Sequence, residues 1–251
     1  MPRQIEQVAP GIHRYADGLV NWYILEEAGE LTLIDLGWPR SWPRIEQAIQ
    51  AIGRQLGDLR VVLLTHGHAD HLGAAERARR AGVPVRVRAA EVDRVRGKAP
   101  TSSPFTLIPG LLPHLRRPTA FGFVVHATRH GFMTPTWLTS VESFDDDDDT
   151  QLDVPGRPRA VATPGHTEGH TSYHVAGAGV LICGDALVTR NVLTGERGPR
   201  LLPDALNADT VRARESLAAL EVLDADLLLP GHGEPWRGSP AEAVRQARAA
   251  G

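Results

Sequence analysis

The amino-acid sequence predicts an α/β protein, layered as a sandwich of sheets and helices. Two observations predict it. Short apolar, β-branched runs alternate with stretches of helical spacing in the first and last thirds of the chain. No convincing linker and no short-period repeat divides them, so residues 1–251 are read as a single domain, with 99–143 as a candidate lid insertion.

The elements follow in order. YILEEAGELTLIDLG (23–37) places two apolar runs around a polar Glu-Ala-Gly-Glu turn, which predicts a hairpin. RSWPRIEQAIQAIGRQLG (40–57) has helical spacing and closes on Gly57. LRVVLLT (59–65) is short and β-branched, a buried strand. HLGAAERARRAG (71–82) is Ala-rich and ends in Gly, which predicts a helix; VPVRV (83–87) is the next strand and AAEVDRVRG (89–97) a short helix. Residues 99–143 show no clean period, and FDDDDDTQLDVPG (144–156) reads as a solvated acidic turn entering a strand. It lacks the alternating spacing and central glycine of a calcium loop. RAVATPG (159–165), TSYHVAG (171–177), GVLICGD (179–185) and ADLLLPG (225–231) predict strands. ADTVRARESLAALEVL (208–223) predicts a helix capped by Asp209, and SPAEAVRQARAA (239–250) a last helix with Ser at the cap and Pro in its first turn.

Composition excludes several functions. A net charge of -3 offers no basic field for nucleic acid. The single cysteine, Cys183, permits neither an internal disulfide nor a cysteine zinc site and reads as a core thiol. No apolar stretch is long enough to span a bilayer, and the N-terminus has no signal-peptide pattern, so a cytoplasmic protein is expected.

The chemistry is concentrated in THGHADHLGA (65–74), where His66, His68, Asp70 and His71 lie between a strand and a helix. Imidazole and carboxylate suit zinc, and also iron or manganese. Four ligands in six residues do not close easily on one tetrahedron, which points to two metals sharing the loop. Further candidates stand after other strands: His166 in TPGHTEGH, Asp185 in LICGDAL and His232 in LLLPGHGEP. In open α/β sheets, sites gather at such carboxyl ends. His13, His114, His126, His130 and His174 are read as ordinary packing or surface histidines, although His126 and His130 would share a helix face.

LTLIDLG, THGHADH, TPGHTEGHT, GDAL and LPGHGEP, in that order, resemble the metallo-beta-lactamase fold superfamily and its His-x-His-x-Asp-His signature. Only 99–143 lacks a clear counterpart. The resemblance implies a four-layer αβ/βα sandwich with the site at one edge of the two sheets. It implies one metal on His66, His68 and His166, a second on Asp70, His71 and His232, and Asp185 bridging them. Asp35 matches a position that supports the ligands from behind, and His170 a histidine near the site. The implied cofactors are two divalent ions, zinc first, with iron or manganese as alternatives. The implied reaction is hydrolysis of an ester, lactone or thioester by a metal-bridging hydroxide, with Asp70 orienting it.

Departures narrow the field. Asp185 argues against a dedicated lactamase, and the short tail after His232 lacks the helical substrate domain of glyoxalase II enzymes. Val188 stands where acyl-homoserine lactonases typically carry tyrosine. The second histidine, His68, argues against flavodiiron proteins, which have glutamate there. A phosphodiesterase of the same fold is one alternative. Another is a persulfide dioxygenase with a single iron on His66, His166 and Asp185. The expected partner is a small molecule, not nucleic acid or membrane. Segment 99–143, with Phe105, Leu107, Ile108, Leu111, Leu112, Phe121, Phe123, Phe132, Met133 and Trp137, is read either as an apolar lid over the metals or as a packing surface, including one for a homodimer. Arg190 is read as a surface ion pair in preference to a substrate-carboxylate contact.

Overall fold

The computed structural model describes residues 5–99, 104–145 and 151–250. Its first half is one mixed sheet. Strands β1 (Ile5–Ala9), β2 (Ile12–Asp17), β3 (Val20–Glu27) and β4 (Glu30–Ile34) form an antiparallel meander. The β3–β4 turn is a two-residue loop in which Ala28 and Gly29 both have positive φ (52° and 86°), the backbone that matches the twist of paired strands. From β4 the sheet continues in parallel. Helix α1 (Trp42–Ala51) leads to β5 (Leu59–Leu63), then α2 (Ala69–Leu72) and α3 (Ala75–Arg80) lead to β6 (Val85–Arg88). Helices α4 (Val92–Val95), α5 (Ile108–Leu111) and α6 (Pro118–Arg129) precede β7 (Glu142–Phe144), which completes seven strands in sequential order.

The second half builds its own sheet. Strands β8 (Arg159–Ala162), β9 (Thr171–Val175) and β10 (Val180–Gly184) are antiparallel. A small hairpin of β11 (Val188–Arg190) and β12 (Arg197–Arg200) and helix α7 (Thr210–Glu221) carry the chain to β13 (Leu227–Pro230), parallel to β10. Strand β14 (Trp236–Arg237) forms the edge, and α8 (Pro240–Ala250) packs beside α7. Asp209 caps α7 by accepting from the Arg212 amide at 2.9 Å, and Ser239 Oγ accepts from the Glu242 amide at 3.2 Å at the start of α8.

Alternation along the strands assembles four layers. In β5, Val61 and Leu63 face the second sheet and meet Ala160, Tyr173, Ile182 and Leu229 between the sheets. Val62 and Leu64 face the other way, onto a core with Ile45, Ile49, Ala75 and Ala78 from α1 and α3. On the far side, Val161, Leu181 and Leu228 pack on Leu217, Leu220 and Val244. The order is helix, sheet, sheet, helix: the αβ/βα sandwich. No helix among the described residues is long and apolar enough to cross a membrane.

One expectation needs correction. The helix expected at 71–82 is broken. Gly73 (φ 29°) separates α2 from α3, because a Cβ there would lie 1.8 Å from the Gly37 carbonyl oxygen. The turn into the helix approaches the β4 loop too closely for one continuous helix. Of the apolar side chains in 99–143, Phe105, Leu112 and Phe121 are more than half exposed, and Trp137 packs on the first core. Most of the acidic run, residues 146–150, lies outside the described residues.

Hydrogen bonds stitch the sheets along one edge. Tyr23 Oη donates to the Pro230 carbonyl (2.6 Å) and Tyr173 Oη to that of Leu64 (2.7 Å). Asn21 Nδ2 donates to the carbonyls of Pro230 and Gly233. Each bond fixes a strand end that carries a candidate ligand.

Candidate metal centre

The seam between the sheets gathers every predicted ligand. His66, His68, Asp70 and His71 follow β5; His166 follows β8, Asp185 ends β10 and His232 follows β13. Three ring nitrogens form a triangle: His66 Nε2 to His68 Nδ1 is 3.1 Å, His68 Nδ1 to His166 Nε2 is 2.9 Å, and His166 Nε2 to His66 Nε2 is 3.2 Å. Ligands about 2.0–2.1 Å from a tetrahedral ion stand roughly 3.3 Å apart, so this triangle has the size of one face of such a site. A second group is formed by Asp70, His71 and His232, with Asp70 Oδ2 3.8 Å from His71 Nε2 and 3.6 Å from His232 Nε2. Asp185 lies between them. Its Oδ1 is 3.6 Å from His71 Nε2, and its Oδ2 is 3.2 Å from His232 Nε2 and 3.4 Å from His166 Nε2.

The rings are aimed from behind. His66 Nδ1 pairs with Thr65 Oγ1 at 2.9 Å, His71 Nδ1 with Asp35 Oδ2 at 2.8 Å, His166 Nδ1 with Asn207 Oδ1 at 3.0 Å and His232 Nδ1 with the Leu19 carbonyl at 2.7 Å. Thr65 Oγ1 itself donates to Asp35 Oδ2 (2.7 Å), so it accepts from His66. His66 and His166 therefore carry their proton on Nδ1 and turn an Nε2 lone pair into the cluster, while His71 and His232 aim Nε2 at the carboxylates, where a cation would take the place of a proton. The buried His71 Nε2 and Asp185 Oδ1 have no hydrogen-bond partner.

Charge points the same way. Burial, then neighbouring imidazoles, hold His66 and His68 well below the usual histidine range, so both are neutral and able to ligate. Burial also pushes His71 down, but Asp185, Asp70 and Asp35 outweigh it and raise it to about 10. Burial raises Asp185, yet His232 and His71 draw it well below the carboxylate range. The second group is thus an excess of carboxylate that attracts cations. Inward lone pairs and surplus negative charge both fit divalent metal ions.

Asp35 and His170 stand where they were expected. Asp35 adopts a left-handed backbone (φ 61°), which lets its Oδ1 accept from the Thr65 amide while Oδ2 serves Thr65 Oγ1 and His71. His170 touches no ligand side chain through a hydrogen bond. Its Nε2 accepts from the backbone amide of Asp185 (3.0 Å), and Nδ1 contacts Thr163 Oγ1 (2.8 Å). Burial, then His166, pushes it to about 3, so it stays neutral and positions Asp185.

Other contributors were not read from the sequence. Glu91 is buried and ties the two ligand loops together, accepting from the amides of Gly67 and Gly169 and from Thr167 Oγ1 at 2.8–2.9 Å. Asn207 orients His166, and Asn21 in β3 holds the β13 loop through the carbonyls of Pro230 and Gly233. Gly231 lets the β13 loop pass against the site, since a Cβ there would lie 2.1 Å from Asp185 Oδ1. His126 and His130 stack (centroids 4.0 Å) beside Asp17, but Arg44 enters this group, donating to Asp17 Oδ2 (3.2 Å) and to His130 Nε2 (2.6 Å). That is an ion-paired anchor for α6. Arg190 pairs with Glu234 at 3.4 Å, and Cys183 is a buried core thiol.

The pocket over the ligands is lined by His68, Asp70, His166, Asp185 and His232 on one side and by Leu111, Phe123, Phe132, Val192, Leu202 and Leu206 on the other. Leu111, Phe123 and Phe132 come from 99–143, so that segment contributes a wall of the pocket.

The family model described as "Metallo-beta-lactamase superfamily" matches residues 15–232. A probable metallo-hydrolase of Bacillus subtilis, YflN, is 30% identical over 247 residues, covering 92% of this chain and 87% of the relative. A hydroxyacylglutathione hydrolase of Gloeobacter violaceus is 58% identical, but over 31 residues, 12% of each chain. Among solved structures, a metallo-beta-lactamase family protein from Thermus thermophilus superposes with a TM-score of 0.69 at 24% identity, covering 97% of this chain and 80% of that one.

Proposed function

The chain belongs to the metallo-beta-lactamase superfamily, and from that premise we propose that it is a hydrolase with two divalent metal ions, zinc first, that cleaves an ester-like bond of a small molecule. One observation carries the reading: four histidines, each donating its Nδ1 proton outward, turn Nε2 toward a shared, bridging Asp185. Bound metal supplies Lewis acidity and a water acidic enough to act as a nucleophile near neutral pH.

The chain's own groups do the rest. His66, His68 and His166 would hold one ion, Asp70, His71 and His232 the other, and Asp185 would serve both. Asp70 is the carboxylate on the pocket wall, placed to orient the attacking water and to carry a proton to the leaving group. The apolar wall excludes bulk water, which strengthens every charge interaction inside. The likeness over 31 residues to a hydroxyacylglutathione hydrolase supports an acyl bond over a phosphodiester.

The one-iron dioxygenase is the second reading, because His66, His166 and Asp185 alone form a facial two-histidine, one-carboxylate group, with Asp185 Oδ2 3.9 Å from His66 Nε2. It leaves the aimed His71 and His232 without a task.

Metal content per chain, by plasma mass spectrometry on untagged protein purified without added metal, tests the choice. About two zinc or manganese ions are expected. About one iron with little zinc would overturn the hydrolase. Asp185→Ala is expected to lose metal and activity while its circular dichroism is unchanged; full activity would contradict the assignment.

A further inference from the structure

Behind the apolar wall of the metal pocket lies a second cavity of about 190 Å³, against about 40 Å³ for the free space over the ligands. The two adjoin at Leu111, Phe123 and Phe132, which line both. Ile108, Val124 and Met133 continue the lining, and Thr128 is its one polar side chain. It opens to solvent past Leu112 and Thr128, which makes it an accessible apolar cleft beside the metal pocket.

Its position is set from the opposite side. Helix α6, which presents Phe123, Val124 and Ala127 to it, is pinned to the β2–β3 turn. His126 Nε2 lies 3.2 Å from Asp17 Oδ1, and Arg44 bridges Asp17 and His130. The same turn fixes His232 through the Leu19 carbonyl. Phe123 meets the His232 ring edge to face, with centroids 6.1 Å apart. Chamber and metal pocket are thus set relative to each other by one turn and one ring.

We propose that the chamber receives the apolar part of the substrate, a neutral aryl or alkyl group joined by a short link to the carbonyl that reaches the metals. An apolar cavity of about 150 Å³ accommodates a benzene, so this one suits a phenyl ring or a chain of about six to eight carbons. The lining has no cation or anion for a charged peptidyl moiety. The proposal rests on the reading of the site as a hydrolase of an ester-like bond, and it names the substrate class of that site: medium-chain or aryl-acyl esters, lactones or thioesters.

The test uses two matched series on zinc-loaded protein. Alkyl hydroxamates from acetyl to dodecanoyl, whose head group chelates metal, are titrated calorimetrically, and 4-nitrophenyl esters of the same chains are assayed for turnover. Affinity is expected to rise about fourfold per methylene, from the transfer value for a buried methylene, and to level off near eight carbons. In Val124→Trp or Met133→Trp, which fill the chamber, the rise is expected to vanish. A flat hydroxamate series in the native protein, or an unchanged rise in a folded variant, overturns the chamber. A chain-length-dependent hydroxamate series without turnover of any ester, lactone or thioester keeps the chamber and overturns the hydrolase. Should neither variant fold, the native series alone decides.

Discussion

At the scale of single residues, Asp35 connects most of the site. One carboxylate orients His71 directly and His66 through Thr65, from a backbone conformation that non-glycine residues seldom adopt. Asp35→Asn keeps the shape but removes the charge and replaces one acceptor with a donor. Metal affinity is expected to fall about 10- to 100-fold, the usual effect of losing such a partner, read by competition with a chelator. Native affinity in the variant would show that Asp35 does not orient the rings. The ligands themselves were legible because their spacing is local, with four in one turn and the rest at strand ends. Glu91, Asn207 and Asn21 were not, because their partners lie far off in the chain and nothing near them marks the role.

At the scale of elements, strands and caps were readable where one physical signal dominated. Two apolar runs around a polar turn gave β3 and β4, and the caps of α7 and α8 formed as expected. The break between α2 and α3 was hidden, since local helix propensity says nothing about the Gly37 carbonyl that presses on Gly73. The hairpins β1–β2 and β11–β12 went unread for a similar reason: their pairing is set by neighbours. The β13 loop carries the same lesson. Gly231→Ala is expected to fold, because the intruding methyl meets a side chain and not the core. It would displace Asp185 and His71, with loss of more than half of the bound metal. Metal analysis beside circular dichroism checks this; full metal occupancy would contradict the close approach.

At the scale of the whole molecule, the layers are also joined away from the site. Buried Glu76 on α3 accepts from Arg79 and Arg80 and contacts the Thr139 amide at 3.3 Å, fastening α3 to the segment before β7. Arg79 chiefly, with Arg80 and Thr139, draws it down to about 2 from the usual 4.5, against the opposing effect of burial. A lowered carboxylate stabilises the fold above its unfolded pKa, and the contribution disappears as pH falls through the folded value. The stability difference between the native protein and Glu76→Gln is therefore expected to be constant above about pH 5 and to shrink between about pH 4.5 and 2, followed by urea unfolding. A difference independent of pH over that range would contradict the pairing.

The division of the sheets has a consequence during synthesis. The first sheet draws only on residues before 145, and the second only on residues from 159 onward. On the proposed two-ion assignment, a ribosome that has released the first half has delivered His66 and His68 for one ion and Asp70 and His71 for the other, two ligands each. His166, Asp185 and His232 arrive later, and the stretch from His71 to His232 takes on the order of ten to thirty seconds to translate. A nascent chain can therefore hold a passing ion only weakly, and firm capture waits until both sheets exist. On that assignment the choice of metal falls to the completed protein and the ions around it, not to whichever ion met the first histidines to emerge.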